Sequence, residues 1–295
     1  MAEAAPLLDA DFLARLERLE LVTRKIFQGR LKGERRSQRK GQSVEFADYR
    51  NYVVGDDLRF LDWNLYARLD RLFLRLFQEE EDLHVFVLID TSLSMDFGTP
   101  TKLRYACQVA AALGFIGLVN LDRVVVEAFG ERLGPALPPL RGRRSLGRLL
   151  AFLSQLQPTG PGNLSQVLRA FSLKTRGRGV VVLLSDFMDK GGYAEGLRYL
   201  VARQMDVHVV QILSQEEIDP DLMGDLKLVD VEDADAAEVT VQLPLLRRYQ
   251  ENLAAYRDEL ETFCTRRGIG CISTSTEVPF DRLVLGHLRQ RGLLR

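Results

Sequence analysis

The run His84-Val85-Phe86-Val87-Leu88-Ile89-Asp90-Thr91-Ser92-Leu93-Ser94-Met95 constrains this chain most, because a nearly unbroken apolar stretch stops at an acid followed by serines at alternate positions. An apolar run of this length reads as a strand buried on both faces, as central strands of parallel sheets are. Asp90 then stands at the carboxyl end of the strand, where open α/β sheets bind their ligands. The loop Asp90-x-Ser92-x-Ser94 offers one carboxylate and two hydroxyls, hard oxygens suited to Mg²⁺ or Mn²⁺. A second run, Val180-Val181-Val182-Leu183-Leu184, ends in Ser185-Asp186 in the same way. If the two strands are neighbours, Asp90 and Asp186 share the crevice where strand order reverses, and paired acids there repel unless a cation or a proton lies between them. Taken singly, either acid reads as an ordinary turn residue and Ser92 or Ser94 as a helix N-cap. The whole constellation favours a site.

From Leu83 onward strand and helix patterns alternate, which predicts an α/β fold: a Rossmann-like, doubly wound, mostly parallel sheet. Strands are expected over 84–90, 123–129, 179–185, 207–213 and 268–273. Helices are expected over 102–120, 145–155, 164–173, 192–204, 245–267 and 280–291. Residues 226–243 read as a two-stranded excursion around the acidic turn Glu232-Asp233-Ala234-Asp235. Upstream, Phe12, Leu13, Leu16, Leu19 and Ile26 at helical spacing predict an amphipathic helix over 9–27. A basic run follows, Arg30, Lys32, Arg35, Arg36, Arg39 and Lys40, expected to be a solvated loop. Residues 72–77 read as an extra strand leading into the acidic run 79–82. The chain thus divides into an extension, 1–82, and an α/β domain, 83–295.

Charge and composition exclude several classes. Forty basic residues against 41 acidic ones leave a net charge of -1 in 295 residues, so no global field recruits nucleic acid, and the basic run lacks interleaved aromatics. Cys107, Cys264 and Cys271 show no metal-ligand spacing and read as reduced, buried thiols. No apolar stretch approaches the roughly 20 residues that span a bilayer, and Glu3, Asp9 and Asp11 are unlike a signal peptide, so a cytoplasmic chain without membrane insertion is expected. A serine hydrolase is disfavoured because His84, His208 and His287 are scattered. A haloacid-dehalogenase-type phosphatase needs a second Asp where Ser92 stands, and no lysine plainly completes the set. The surviving enzymatic alternative is a metal-dependent hydrolase or phosphatase using Asp90 and Asp186.

The Asp90-x-Ser92-x-Ser94 loop after such a strand resembles the metal-ion-dependent adhesion site of the von Willebrand factor type A family. The resemblance implies that Asp186 supplies a further acid, and that a threonine comes from the loop Pro158-Thr159-Gly160-Pro161-Gly162-Asn163-Leu164. That threonine would fall at Gly162, which has no side-chain oxygen. Thr159 or a water is the substitute, and a weakened site for Mg²⁺ or Mn²⁺ is expected.

The segment from Glu45 to Asn64 carries a second resemblance, to the bacterial domain-of-unknown-function family 58, with matches at Glu45, Phe46, Arg50, Tyr52, Gly55, Asp56, Arg59, Asp62, Trp63, Ala67 and Arg68. This resemblance implies a partner, a MoxR-type AAA+ ATPase, and a role as adaptor or co-chaperone in assembling or activating client proteins. Read from the residues alone, the arginines and aspartates of the segment form ion pairs that pin it in place, with Trp63 as an anchor. Arg50, Tyr52 and Trp63 are equally the residue types of interface hot spots. The functional expectation is a non-enzymatic interaction module without catalytic residues.

Overall fold

The computed structural model describes residues 7–19, 21, 45–78, 83–175, 177–232, 235–290 and 293–294. The chain forms two compact units: residues 32–82, and residues 1–31 together with 83–295. The opening helix groups with the α/β unit rather than with the signature segment. Phe12 and Leu16 explain this, since both are buried in the core of the α/β unit.

In that unit, α1 (Ala10–Leu16) is followed by β3 (His84–Asp90), α3 (Lys102–Val119), β4 (Arg123–Phe129), β5 (Leu133–Leu140), α4 (Leu146–Ser154), α5 (Leu164–Lys174), β6 (Val180–Ser185), α6 (Ala194–Ala202), β7 (Asp206–Leu213), α7 (Gln215–Ile218), β8 (Gly224–Val229), β9 (Ala236–Val241), α8 (Leu243–Thr265) and β10 (Gly270–Ser275). A helical segment over 280–290 follows β10, and Leu294 beyond it bridges Leu21. Six strands form one sheet in the order β10-β7-β6-β3-β4-β5, with every pairing parallel except β4 with β5. This is a mixed α/β architecture with a central, mostly parallel sheet.

The apolar run of β3 is continuous because both its faces are covered. Side chains alternate across a strand. Val85, Val87 and Ile89 join one core with α1, α3 and α4, while Phe86 and Leu88 join the other with Phe171 of α5, Leu197 of α6 and Leu260 of α8. Helix α3 is long and apolar enough to cross a membrane, yet 83% of it is buried within the protein, as befits the central helix of a core. The antiparallel edge strand β5 was not expected from its sequence, which carries Pro135, Pro138 and Pro139. An edge tolerates prolines because one side of the strand makes no ladder bonds.

The two-stranded excursion is present as β8 paired antiparallel with β9. The three cysteines are buried thiols, as expected.

The smaller unit contains β1 (Glu45–Asn51), α2 (Trp63–Leu69) and β2 (Phe73–Gln78), with β1 and β2 antiparallel. The expected extra strand over 72–77 is β2, and it pairs with β1 rather than joining the large sheet. The basic run 30–40, the acidic run 79–82, and residues 20 and 22–27 of the expected opening helix lie outside the described residues.

Candidate functional site

Strand order reverses at β3, whose neighbours are β4 on one side and β6 on the other. Ile89 of β3 is in register with Leu184 of β6, so Asp90 and Ser185-Asp186 emerge side by side at the carboxyl edge. The neighbour condition set by the sequence reading is met.

Asp90 is buried and receives three hydrogen bonds. Its Oδ1 accepts from the Ser92 backbone N–H at 2.9 Å and from the Ser92 hydroxyl at 2.7 Å, and its Oδ2 accepts from the Ser185 hydroxyl at 2.6 Å. The Ser92 Oγ lies 3.0 Å from the Ser94 Oγ. Ser92 occupies the N-cap position of the short 3-10 turn Leu93–Asp96, yet its side chain caps no backbone group and points to Asp90 instead. The helix-cap alternative for Ser92 therefore fails. Burial, and then the charge of Asp186, push the Asp90 carboxyl up to about 7, against the opposing hydrogen bonds from Ser185 and Ser92.

Asp186 reaches a cation that sequence reasoning missed. The Lys102 Nζ donates to Asp186 Oδ2 at 2.7 Å and to Glu217 Oε1 at 2.5 Å, and the Lys102 side chain is wholly buried. Burial alone would lower the Lys102 pKa, but the Asp186 and Glu217 carboxylates more than offset it, so the ammonium stays charged. Asp186 Oδ1 accepts from the Met188 N–H at 3.0 Å. Glu217 is placed by a capping box with Ser214 at the start of α7, and this Ser-x-x-Glu spacing was legible in the sequence. Lys102 itself left only a faint signal, a lone lysine opening an otherwise apolar helix.

Thr159 sits in the loop beside Thr91 and Gly130. It is exposed, and it meets the loop through its backbone, with its N–H donating to the Thr91 carbonyl at 2.6 Å. Gly162 holds the place the family pattern assigns to threonine: a Cβ built there would lie 3.5 Å from Ser92 Cβ and 3.7 Å from Ser92 Oγ. The Gly162 N–H donates to Glu232 Oε2 at 3.1 Å, so a carboxylate from the turn between β8 and β9 reaches the same spot. As a donor set, Asp90, Ser92 and Ser94 fit a hard divalent cation. The Ser92 and Ser94 hydroxyl oxygens lie 3.0 Å apart, and Ser92 is held against Asp90.

The signature residues fall in the smaller unit. Asp62 is buried and caps α2, its Oδ1 accepting from the Asn64 and Leu65 N–H groups at 2.9 and 3.1 Å and its Oδ2 from the Tyr49 hydroxyl at 3.2 Å. Arg50 donates to Asp56 at 2.9 Å, and Asp56 also accepts from the Val53 N–H. Arg59 pairs with Asp57 at 2.5 Å, holding that carboxyl near 2. The Tyr52 N–H donates to the Leu72 carbonyl. Trp63, read as an anchor, is 60% exposed.

The sheet order and the hydroxyl–carboxylate loop make this an α/β protein with a central, mostly parallel sheet and a candidate site at its topological switch point. The model of the family described as protein of unknown function DUF58 matches residues 48–259, and the chain belongs to this family. The uncharacterized protein Rv1480 of Mycobacterium tuberculosis and the uncharacterized protein Mb1516 of Mycobacterium bovis are each 27% identical over 280 residues, covering 93% of this chain and 87% of theirs. Among solved structures, the conserved hypothetical protein BatB from Bacteroides thetaiotaomicron aligns over 71% of this chain and 98% of its own, at 13% identity and a TM-score of 0.45. An aerotolerance-related membrane protein from Bacteroides fragilis gives similar coverage, 14% identity and a TM-score of 0.44.

Proposed function

We propose that this chain is a non-enzymatic interaction module of the von Willebrand factor A-like kind, binding a MoxR-type AAA+ ATPase as an adaptor or co-chaperone for client proteins. The observation that carries the reading is the Asp90 cluster. A buried carboxylate, held by Ser92 and Ser185 and adjoining Ser94, stands at the switch point of the sheet. Asp90, Ser92 and Ser94 would hold Mg²⁺ or Mn²⁺ weakly, and such an ion supplies an open coordination position for an acidic side chain of the partner. Asp186 is tied to Lys102 and acts at a distance, balancing charge. No step requires nucleic acid.

A hydrolytic reading draws on one observation, the Lys102–Asp186 pair beside Asp90, which supplies the lysine missing from the sequence-level phosphatase comparison. Both Asp90 oxygens already accept hydrogen bonds, and Lys102 is sealed between two carboxylates. Attack by Asp90 would break this arrangement, so the interaction reading is preferred.

The test is the affinity of the wild type and Asp90→Ala for a purified MoxR-type ATPase, in Mg²⁺ and in chelator. Wild type in Mg²⁺ should bind roughly ten- to a hundredfold more tightly than the other three combinations, the worth of one charge-assisted contact of about 1.5–3 kcal/mol. Equal binding in all four discards the cation-bridged mechanism. Asp90-dependent cleavage of p-nitrophenyl phosphate would establish the hydrolytic reading instead.

A further inference from the structure

The turn between β8 and β9 brings a carboxylate to the rim of the crevice from 70 residues away in sequence. Glu232 Oε2 accepts the Gly162 N–H at 3.1 Å, and Glu232 Oε1 lies 3.9 Å from the point where a Gly162 Cβ would stand, itself 3.7 Å from Ser92 Oγ. The Ser92 hydroxyl and the Glu232 carboxylate thus flank one small space, open because residue 162 has no side chain.

Among its described residues, the hairpin that delivers Glu232 buries little apolar surface, Val241 at the end of β9 excepted. Most residues of β8 and β9 are exposed, Leu228 at 45% and Val229 at 58% among them. Its polar ties include, at the turn, Lys190 with Asp230 at 2.9 Å and Asp235 at 3.8 Å and the Glu232 N–H to Asp230 Oδ1 at 2.8 Å, and at the far end the Thr240 hydroxyl to Asp225 Oδ1 at 2.6 Å. The lysine pairs are largely solvent-exposed and individually weak. A two-stranded ribbon of this kind is marginal on its own. The contact at Gly162 is therefore poised to break when something better occupies the rim.

We infer that Glu232 is an internal competitor at the crevice: its carboxylate holds the rim beside Ser92, and an acidic segment of a partner binds there by displacing the β8–β9 hairpin. This rests on the interaction reading above, which already assigns the partner an acidic side chain, and adds to it an autoinhibitory contact made by this chain's own Glu232. A binding-competent state populated only when the hairpin lifts lowers apparent affinity by the fraction open. Removing one charge-assisted bond should raise that fraction about tenfold.

The experiment uses the full chain and, as probe, a fluorescent peptide of the chain's own residues 228–237, with a second peptide carrying glutamine in place of Glu232. Glu232→Gln should bind the first peptide about tenfold more tightly than wild type does, and neither protein should bind the glutamine peptide appreciably. In parallel, hydrogen exchange at the Gly162 amide should accelerate about tenfold in Glu232→Gln, with exchange in the β3 and β6 core unchanged. Equal peptide affinity for wild type and variant overturns the inference, as does a Gly162 amide indifferent to the substitution. A negative ATPase titration alongside a gain in peptide binding would reject the ATPase as partner while leaving the inference intact.

Discussion

The two units stabilise themselves by different means. The α/β unit buries a two-sided core and keeps its polar groups in a few dense clusters, of which Asp90–Ser92–Ser94–Ser185 and Lys102–Asp186–Glu217 are the ones at the sheet edge. The unit of residues 32–82 buries little apolar surface among its described residues, chiefly Leu61 and Leu74, which bridge each other. It leaves Tyr49, Val53, Val54, Leu58, Phe60 and Trp63 exposed. Beyond the β1–β2 ladder, its side-chain ties are local caps and ion pairs between residues two to thirteen positions apart. Buried charge in low dielectric costs heavily when a partner is removed, whereas exposed pairs are screened. Polar substitutions should therefore be costly in the first unit and cheap in the second.

The sharpest break in that contrast is expected at Lys102. Replacing it with methionine preserves much of the apolar stem but leaves Asp186, 4% exposed, and Glu217 facing each other without a cation. Loss of one partner from a buried pair costs about 3–5 kcal/mol. Denaturant melts measure it directly, and a loss below about 1 kcal/mol would show that water solvates this cluster.

Asp90 gives the next largest effect, and a pH-dependent one. Its folded carboxyl, pushed up to about 7 by burial and then by Asp186, lies above the unfolded value near 4. Below pH 4 both states are protonated and the full stability is present. Between about 4 and 7 the unfolded chain releases its proton while the folded chain keeps it, so stability falls as pH rises and levels off above 7. At roughly 1.4 kcal/mol per unit, the fall is on the order of 2–4 kcal/mol. Asp90→Asn should remove this slope in chelator, because the amide carries no charge to desolvate and the Ser92 and Ser185 hydroxyls can reorient. Parallel stability-against-pH curves for wild type and variant would contradict the assignment.

How much of this was legible follows from the range of the forces involved. Strands β3 and β4 match their expected limits because an apolar run buried on both faces is bounded sharply by its first charged or turn residue. Asp90, Ser185 and Asp186 were legible for the same reason. Strand β5 was hidden by its prolines, which speak against a strand until an edge position is known. Lys102 and Glu232 were hidden because their burial depends on partners 84, 115 and 70 residues away, and a single charged side chain reads by default as solvated. The signature segment was recognised as a pattern of letters, yet its spacing could not separate an anchor from an exposed aromatic. Arg59 illustrates the limit: it pairs with Asp57, two residues back, while Asp62 turns to cap α2.

The smallest effect tests the contrast from its other side. If Trp63 were an anchor, truncation to alanine would cost about 3–5 kcal/mol, as large-to-small changes in cores do. Phe115 of α3, 1% exposed, sets that scale, and Phe115→Ala should reach it. Trp63 keeps 60% of its surface in solvent and touches Tyr66 edge-on with ring centroids 6.3 Å apart, a contact worth about 0.5–1.5 kcal/mol when well formed. Its backbone position at the start of α2 is held by the Asp62 cap, which the substitution leaves in place. Trp63→Ala should therefore cost less than about 1 kcal/mol in the same denaturant melts. A loss near that of Phe115→Ala would mean the tryptophan is covered in solution, and a small one leaves its exposed ring for a partner, as the residue type most enriched at hot spots. The affinity of Trp63→Ala for the ATPase distinguishes a contact surface from a bystander: a drop of tenfold or more without loss of stability marks the contact surface.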